Sequence, residues 1–269
     1  MPFFFVPLHL RMKSILKQTY IWALVVIFAA CTTVTQTQLT EKKTQQYPVN
    51  NTIAEDKETA EFIKPYKDSL DKIMNRVLGV SAQRMDKGQP ESELGNFVSD
   101  LILEYVNTVI SQDSSILTGA DIAFFNNGGF RNPLPQGNIT VQHVYELMPF
   151  DNELVILEMP GKQVNELMKF IAASGGIPVS GMKMEIRKHF PANIYIGKEK
   201  FDSTKTYRIV TSDYLANGGD KFFFLQDKNV KRTDLNIKLR DAILAYIPVK
   251  AKTKHPLKAE KDGRIRIVE

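Results

Sequence analysis

The 269-residue sequence has a single cysteine, Cys31, and few histidines. One cysteine excludes an intramolecular disulfide framework and a zinc site built from cysteines. The histidines are dispersed singly, which argues against a dinuclear metal site built from His-rich loops; they are His9, His143, His189 and His255. We therefore expect no metal or other cofactor in this chain, and we expect His143, on a short predicted helix, to be structural.

Three motifs of common enzyme classes are also missing. The sequence has no GxxxxGK[ST] phosphate loop, no GxGxxG turn and no GxSxG elbow. These absences argue against a P-loop NTPase, a dinucleotide-binding Rossmann domain and an α/β-hydrolase. No basic and aromatic motif for nucleic acid is present either, so nucleic acid is not a predicted partner.

The composition is that of a globular protein, with 43% hydrophobic and 24% charged residues. Charge is distributed unevenly. Residues 31–227 hold 20 basic and 25 acidic side chains, a net −5, whereas residues 228–269 hold 12 basic and 5 acidic ones, a net +7. The C-terminal segment is therefore predicted to be a solvated basic tail; the alternative is a surface for anionic lipid or a protein partner.

The N-terminus has the features of a targeting signal. Residues 21–30 read IWALVVIFAA, which is too short for the roughly 20 residues of a membrane-spanning helix. Lys13 and Lys17 precede this run, and Ala29-Ala30-Cys31 ends it, which resembles a bacterial lipobox. The pattern predicts a signal peptide at 1–30, a lipidated Cys31, a flexible tether at 31–58 and a lipid-anchored protein of the bacterial cell envelope. The alternative is a free cysteine buried in a core helix.

Helical and strand patterns alternate after residue 59. Helices are predicted near 60–77, 94–110, 140–147 with Thr140 as N-cap, 163–172 and 235–246, and strands near 80–83, 121–125, 153–159, 180–187, 193–196, 207–212 and 264–268. The closely spaced strands at 180–212 favour antiparallel pairing. The predicted fold of residues 59–269 is therefore α+β, a mixed β-sheet with packed helices.

Two glycine loops with polar ends each follow a predicted strand. The first contains Asn126, Gly128, Gly129 and Arg131; paired glycines allow a close approach of the backbone to a ligand, and arginine suits phosphate or carboxylate oxygens. Taken alone, this pattern is better explained by a tight turn with an exposed arginine.

The second loop, Asp213–Asp220, reads DYLANGGD. Tyr214 offers an aromatic face, Asn217 precedes the glycine pair, and Asp220 could accept hydrogen bonds from vicinal hydroxyls. Between the loops, Phe150 stands at a predicted helix-to-strand corner, where it could stack on a planar ring or serve as a core plug.

These segments together resemble the C-terminal domain of the 5′-nucleotidase family, which includes bacterial periplasmic UDP-sugar hydrolases and animal ecto-5′-nucleotidases. The matching pieces are LGNFVSD at 94–100, the loop at 126–131, MPF at 148–150 and YLANGGD at 214–220. Their order and spacing fit over about residues 60–247.

The resemblance implies a nucleotide or nucleoside ligand. By position, Phe150 and Tyr214 would sandwich the base, Asp220 would hold the ribose hydroxyls, Asn126 would lie near the base, and Arg131 near ribose and phosphate. Family members usually carry arginines just before the LGN segment. Here only Arg84 and Lys87 are nearby, so Lys87 is a candidate to replace that phosphate contact.

The family's catalytic domain, which holds two divalent metals, has no counterpart in the sequence before residue 60. Three interpretations remain open. The chain is the substrate-binding half of a split enzyme that works with a separate metallophosphoesterase, a non-catalytic nucleoside-binding or nucleotide-binding lipoprotein, or an interaction module that has lost its ligand. The retained site residues argue against the third.

Overall fold

The computed structural model describes residues 44–50, 52–108, 119–253 and 256–269. The predicted signal peptide and Cys31 lie outside these residues, as does part of the predicted tether. The chain divides into two compact units, Met1–Asp56 and Lys57–Glu269, and every helix and strand of the described residues belongs to the second. No helix in the described part of the chain is long and apolar enough to cross a membrane.

Six α-helices and eleven β-strands are present in the described residues. The helices are α1 (Lys57–Met74), α2 (Glu93–Thr108), α3 (Val141–Leu147), α4 (Gly161–Ala173), α5 (Asp213–Ala216) and α6 (Leu239–Thr253). The strands are β1 (Val77–Ser81), β2 (Ile122–Phe124), β3 (Gly137–Thr140), β4 (Glu153–Pro160), β5 (Val179–Ser180), β6 (Met182–Arg187), β7 (Phe190–Ile196), β8 (Glu199–Lys200), β9 (Thr206–Ser212), β10 (Lys231–Lys238) and β11 (Ile265–Val268).

A five-stranded mixed sheet lies at the centre, with the strand order β10-β4-β9-β2-β5. Strands β2 and β9 are parallel, and the remaining pairs of this sheet are antiparallel. A second sheet, β11-β6-β7-β8, has one parallel pair at its edge, and β1 pairs with β3. The prediction of an α+β fold with a mixed sheet and packed helices is confirmed.

The central sheet separates two apolar cores, because alternate side chains of a strand point to opposite faces. In β2, Ile122 and Phe124 belong to one core, while Ala123 and the following Phe125 belong to the other. Helices α2, α3 and α6 cover the second face, and α4 with the β6–β7 hairpin covers the first. Each fully buried large apolar side chain contributes roughly 1.5–3 kcal/mol of transfer free energy.

Three chain segments lie together at the edge of the central sheet where β2 and β9 end. Because β2 and β9 are parallel, their carboxyl ends meet at this edge, and the antiparallel β4 begins there, with Leu154 opposite Ser212. The loop after β2, the loop after β9 and the corner before β4 are therefore brought together. These are the three segments that carry the predicted site residues.

The local predictions succeeded for one cap and failed for two helix boundaries. The helix predicted to reach residue 77 ends at Met74, because Val77 begins β1, which pairs with β3. Thr140 is the N-cap of α3, and its hydroxyl accepts a hydrogen bond from the His143 amide while the His143 ring accepts one from the Thr140 amide. His143 is thus structural, as predicted. The helix predicted from residue 235 begins instead at Leu239, since Leu235 belongs to β10, which pairs with β4.

The prediction of a solvated basic tail at residues 228–269 is wrong. This segment forms β10, α6 and β11, and several of its cations pair with acids of the acidic body. Arg264, 9% exposed, donates to the Asp100 carboxylate at 2.6 and 3.0 Å, and Lys238 lies 3.1 Å from Asp151. The excess positive charge of one segment and the excess negative charge of the other therefore attract each other within one fold.

Candidate functional site

The three segments at the sheet edge enclose a cleft of about 310 Å³. Its lining residues are Asn126, Gly128, Gly129, Arg131, Phe150, Asn152, Tyr214 and Asp220. The structure thus brings together every predicted site residue except Asn217. Asn152 was not predicted as a site residue, although it follows Phe150 by only two positions at the same corner.

Asp220 lies at the centre of the polar groups of the cleft. One of its carboxylate oxygens accepts a hydrogen bond from the Asn126 amide at 2.6 Å, and the other accepts one from the Tyr214 hydroxyl at 2.8 Å. The residue has a φ of 49°, in the left-handed region that aspartate tolerates better than most residues. Both glycine loops are therefore joined through a single carboxylate.

The same carboxylate affects the ionisation of Tyr214. The hydrogen bond to Asp220 is the main cause that raises the pKa of the Tyr214 phenol above its usual value. Ionised tyrosine would lose this bond and would stand beside another negative charge, so the protonated form is favoured. At neutral pH Tyr214 is a hydrogen-bond donor, and Asp220 accepts from it.

Two glycines allow this close packing. A Cβ added at Gly219 would lie 2.5 Å from Cζ of Tyr214 and 2.6 Å from its carbonyl oxygen. A Cβ added at Gly129 would lie 2.8 Å from the side-chain oxygen of Asn126. A side chain at either position would displace a neighbouring group of the cleft. The glycine pairs noted in the sequence therefore leave room for Tyr214 and Asn126.

Phe150 is held at its corner by the buried Arg240 of α6. The Arg240 guanidinium donates to the carbonyl oxygens of Met148 and Phe150 at 3.3 Å and pairs with the Asp151 carboxylate. It also lies 4.4 Å from the ring centroid of Tyr145. These contacts fix the backbone of the corner while the Phe150 ring itself remains 40% exposed.

Arg131 lies on the rim of the cleft beside Phe150. Its backbone amide donates to the Leu147 carbonyl at 2.8 Å, and its guanidinium carbon is 6.0 Å from the centroid of the Phe150 ring. Lys87 donates from Nζ to the carbonyl oxygen of Phe130 at 2.9 Å, next to Arg131 in the chain. Arg84 instead pairs with Asp86 at 2.9 Å. Of the two cations noted in the sequence, Lys87 is the one bound to the Arg131 loop.

Asn217 is not a lining residue of this cleft. Its side-chain oxygen accepts a hydrogen bond from Arg232 of β10 at 2.6 Å, and Arg232 also pairs with Asp234. This contact attaches the DYLANGGD loop to the neighbouring strand. Asn217 therefore contributes to the position of the loop in this structure.

The LGNFVSD segment lies in α2 and makes structural contacts. Asn96 donates to the Glu91 carboxylate at 2.6 Å and to the Glu260 carbonyl at 2.8 Å. Asp100 accepts from Ser180 at 2.6 Å and pairs with Arg264. These polar contacts join α2 to the C-terminal segment.

The side chains of the cleft differ in kind from those of a metal site. Within the residues that the structure describes, no group of three or more His, Cys, Asp or Glu side chains is placed to hold a metal ion. The polar groups of the cleft are two amide side chains, a phenol, a guanidinium and one carboxylate, with two half-exposed aromatic rings. This arrangement is suited to hydrogen bonding and stacking with a planar, hydroxyl-bearing ligand.

Comparison with known proteins finds relatives among proteins described as 5′-nucleotidases or related to them. A 5′-nucleotidase-related protein of Glossina morsitans morsitans is 29% identical over 242 residues, which cover 80% of this chain and 42% of that protein. A 5′-nucleotidase of Vibrio vulnificus is 25% identical over 190 residues, covering 67% of this chain and 32% of its own length. The chain thus spans less than half the length of these relatives.

Comparison with solved structures also finds a 5′-nucleotidase. The 5′-nucleotidase precursor from Thermus thermophilus superimposes with a TM-score of 0.65 at 25% identity, covering 77% of this chain and 42% of that one. The family model described as 5′-nucleotidase, C-terminal domain, matches residues 72–227, more than half of the chain and all of the cleft residues. On these grounds, the resemblance drawn from the motifs is confirmed, and the chain belongs to the 5′-nucleotidase C-terminal domain family.

Proposed function

We propose that this chain binds a nucleotide or nucleoside in the cleft at the sheet edge. The observation that carries the proposal is the convergence of Phe150 and Tyr214, 64 positions apart, on one cleft with the Asp220 carboxylate. The two residues are 40% and 43% exposed in the absence of a ligand, so part of each side chain is available to a base. Stacking contributes ~1–3 kcal/mol per base in nucleic-acid sites, and a pair of rings supplies much of the ~8 kcal/mol of a micromolar complex.

The polar groups of the cleft are suited to contact the other parts of a nucleotide, namely the ribose, the base edge and the phosphate. Asp220 is the acceptor for ribose hydroxyls, and the amides of Asn126 and Asn152 can donate to and accept from a base edge. Arg131 lines the cleft, and Lys87 donates to the carbonyl oxygen of the preceding residue, Phe130, so these two cations are the candidates to meet a phosphate group. Arginine suits the oxygens of phosphate because it donates in a fixed fork.

The chain is proposed to act as the substrate-binding half of a 5′-nucleotidase-type phosphohydrolase in nucleotide catabolism. The described residues offer no metal ligand set, so we assign no step of phosphoester hydrolysis to them. In this proposal a separate metallophosphoesterase supplies two divalent metals. The alternative is a non-catalytic nucleoside-binding or nucleotide-binding protein; both alternatives require the same binding step.

Calorimetric titration with adenosine and its monophosphate tests the binding step. We expect a dissociation constant in about the micromolar range, while adenine or ribose 5-phosphate alone binds far more weakly because each makes only part of the contacts.

We also expect no phosphate release by the chain alone with added divalent metals, and release on mixing with the metallophosphoesterase. A chain that binds neither ligand would contradict the proposal, whereas binding without release on mixing would favour the non-catalytic alternative.

We further propose that Cys31 is lipidated and anchors the protein in the bacterial cell envelope. The support is the sequence alone: a basic segment, a ten-residue apolar run and Ala29-Ala30 directly before Cys31. Intact-mass measurement of protein extracted from membranes is expected to show a diacyl or triacyl Cys31, because stable anchoring takes more than one acyl chain. An unmodified N-terminus at another residue would refute this assignment.

A further inference from the structure

Helix α1 presents an apolar stripe that the described part of the chain leaves uncovered. Ile63, Tyr66, Leu70 and Ile73 are 46–71% exposed, and the neighbouring Phe62 is 72% exposed. No residue of the helix is buried. Its C-terminal end is attached to the body, since Met74 packs against the core and the Arg76 carbonyl accepts from the Val141 amide at 3.1 Å. The sequence had predicted the helix correctly but not that its apolar side would remain exposed.

A helix of this kind needs a packing partner on its apolar side to be stable. It has 18 residues and contains Pro65 in its interior. The helix is only a little longer than the roughly 12–15 residues below which isolated helices are marginal in water, and an interior proline costs roughly 3 kcal/mol. Most helical stability comes from packing of the apolar side. The exposed stripe is therefore the surface on which α1 depends.

The spacing of the stripe is that of a helix–helix seam. Ile63, Tyr66, Leu70 and Ile73 follow one another at intervals of three, four and three residues, the a and d positions of two heptads. Pro65 falls at an outer position of the same repeat and does not interrupt the seam. Phe62 flanks the seam, with its ring centroid 6.2 Å from that of Tyr66. Such a narrow a/d stripe is typical of pairing with another helix rather than of packing on a flat surface.

The charges of α1 fit an identical partner. The helix carries four lysines and four acids, Lys57, Lys64, Lys67, Lys72, Glu58, Glu61, Asp68 and Asp71, so its net charge is zero. Two copies therefore bring no net repulsion. A strongly acidic or basic protein, or an anionic membrane, would gain no charge complementarity from this helix.

The available area reaches the lower limit for a dimer. From their exposed fractions, the five apolar side chains would bury on the order of 500 Å² per copy, or roughly 1,000 Å² over two copies. A biological interface buries at least about 1,000 Å², and interfaces below about 1,200 Å² are weak or transient, so this area is that of a weak dimer. We propose that α1 pairs with α1 of a second copy of this chain, through the seam of Ile63, Tyr66, Leu70 and Ile73.

Sedimentation equilibrium of the full chain in density-matched detergent tests this pairing. We expect the mass of two chains for the unmodified protein and for Lys72→Glu, which places a glutamate on the outer side of α1. Leu70→Glu places the same charge in the seam and is expected to weaken the dimer at least a hundredfold. Ile73→Glu is a second seam variant with the same expectation. Adenosine affinity of each variant serves as a check on folding, since the cleft is elsewhere.

Three outcomes would overturn the proposal. The first is an unmodified chain that stays monomeric up to about 100 µM. The second is a dimer that survives both seam variants. The third is a monomer that, with Cys31→Ser removing the proposed acyl anchor, co-sediments with phosphatidylcholine vesicles unless Leu70 is changed, which would make lipid the occupant of the stripe. Loss of adenosine binding with an intact dimer would instead count against the proposed ligand and leave the α1 pairing supported.

Discussion

Asp220→Ala is expected to weaken adenosine binding by about a hundredfold. Hydrogen bonds to a charged group are worth about 1.5–3 kcal/mol, and 1.4 kcal/mol corresponds to a factor of ten. The change also removes the acceptor that holds Asn126 at 2.6 Å and the Tyr214 hydroxyl at 2.8 Å. Loss of the ribose contact lowers the affinity for adenosine, and so does loss of the hydrogen bonds that hold Asn126 and Tyr214 in place. Calorimetric titration measures the change in affinity.

The ligand provides the control for this variant. Adenosine lacking its 2′- and 3′-hydroxyls has no vicinal hydroxyls for the carboxylate, so Asp220→Ala should weaken the binding of that analogue clearly less than the binding of adenosine. Asp220→Asn tests the charge separately, because asparagine also tolerates a φ near 49°. If Asp220→Ala weakens both ligands equally, the carboxylate acts by holding Tyr214 and Asn126 rather than by binding ribose.

Phe150→Ala and Tyr214→Ala are each expected to weaken nucleoside binding by about ten- to a hundredfold. The physical reason is the loss of one stacking surface, worth ~1–3 kcal/mol. Both rings are about 40% exposed without ligand, so the free energy of unfolding should change little. Titration with adenosine gives the affinity, and thermal melts of each variant give the stability.

Two matched variants separate stacking from other effects. Tyr214→Phe keeps the ring but loses the hydrogen bond to Asp220, so it should retain most of the stacking energy. Phe190→Ala removes an aromatic ring that is 70% exposed on β7, outside the cleft, and should leave affinity unchanged. If Phe150→Ala or Tyr214→Ala lowers the melting temperature strongly and leaves the affinity for adenosine unaltered, the ring stabilises the fold by packing and does not stack on the ligand.

Local patterns account for much of what could be predicted. The strand before Asn126, the N-cap at Thr140 and the helix of the LGNFVSD segment follow from short-range periodicity and capping. The glycine pairs at 128–129 and 218–219 mark close backbone approach at both loops. The motifs also identify the family, because their order and spacing are visible without coordinates. Asn152 was missed because an asparagine after a corner has no distinguishing local pattern.

Other features depended on partners distant in sequence. Residues 228–269 appeared to be a basic tail because their acidic partners, such as Asp100 and Asp151, lie far back in the chain. Leu235 was assigned to a helix because its pairing partner is β4, which sequence periodicity does not reveal. The apolar stripe of α1 was correctly predicted as helical, but whether an amphipathic helix is covered depends on what packs against it.

The sequence by itself determined the family, the mixed α+β character and the residue types of the cleft, since these reside in local runs and turn chemistry. Only the tertiary structure decided that Phe150, Tyr214 and Asp220 share one cleft, that Asn217 instead bonds Arg232, and that Asn96 and Asp100 bind the C-terminal segment. The reason is topological: parallel pairing of β2 with β9 and antiparallel pairing of β4 bring three loop segments to one edge, and strand order is a property of the whole sheet.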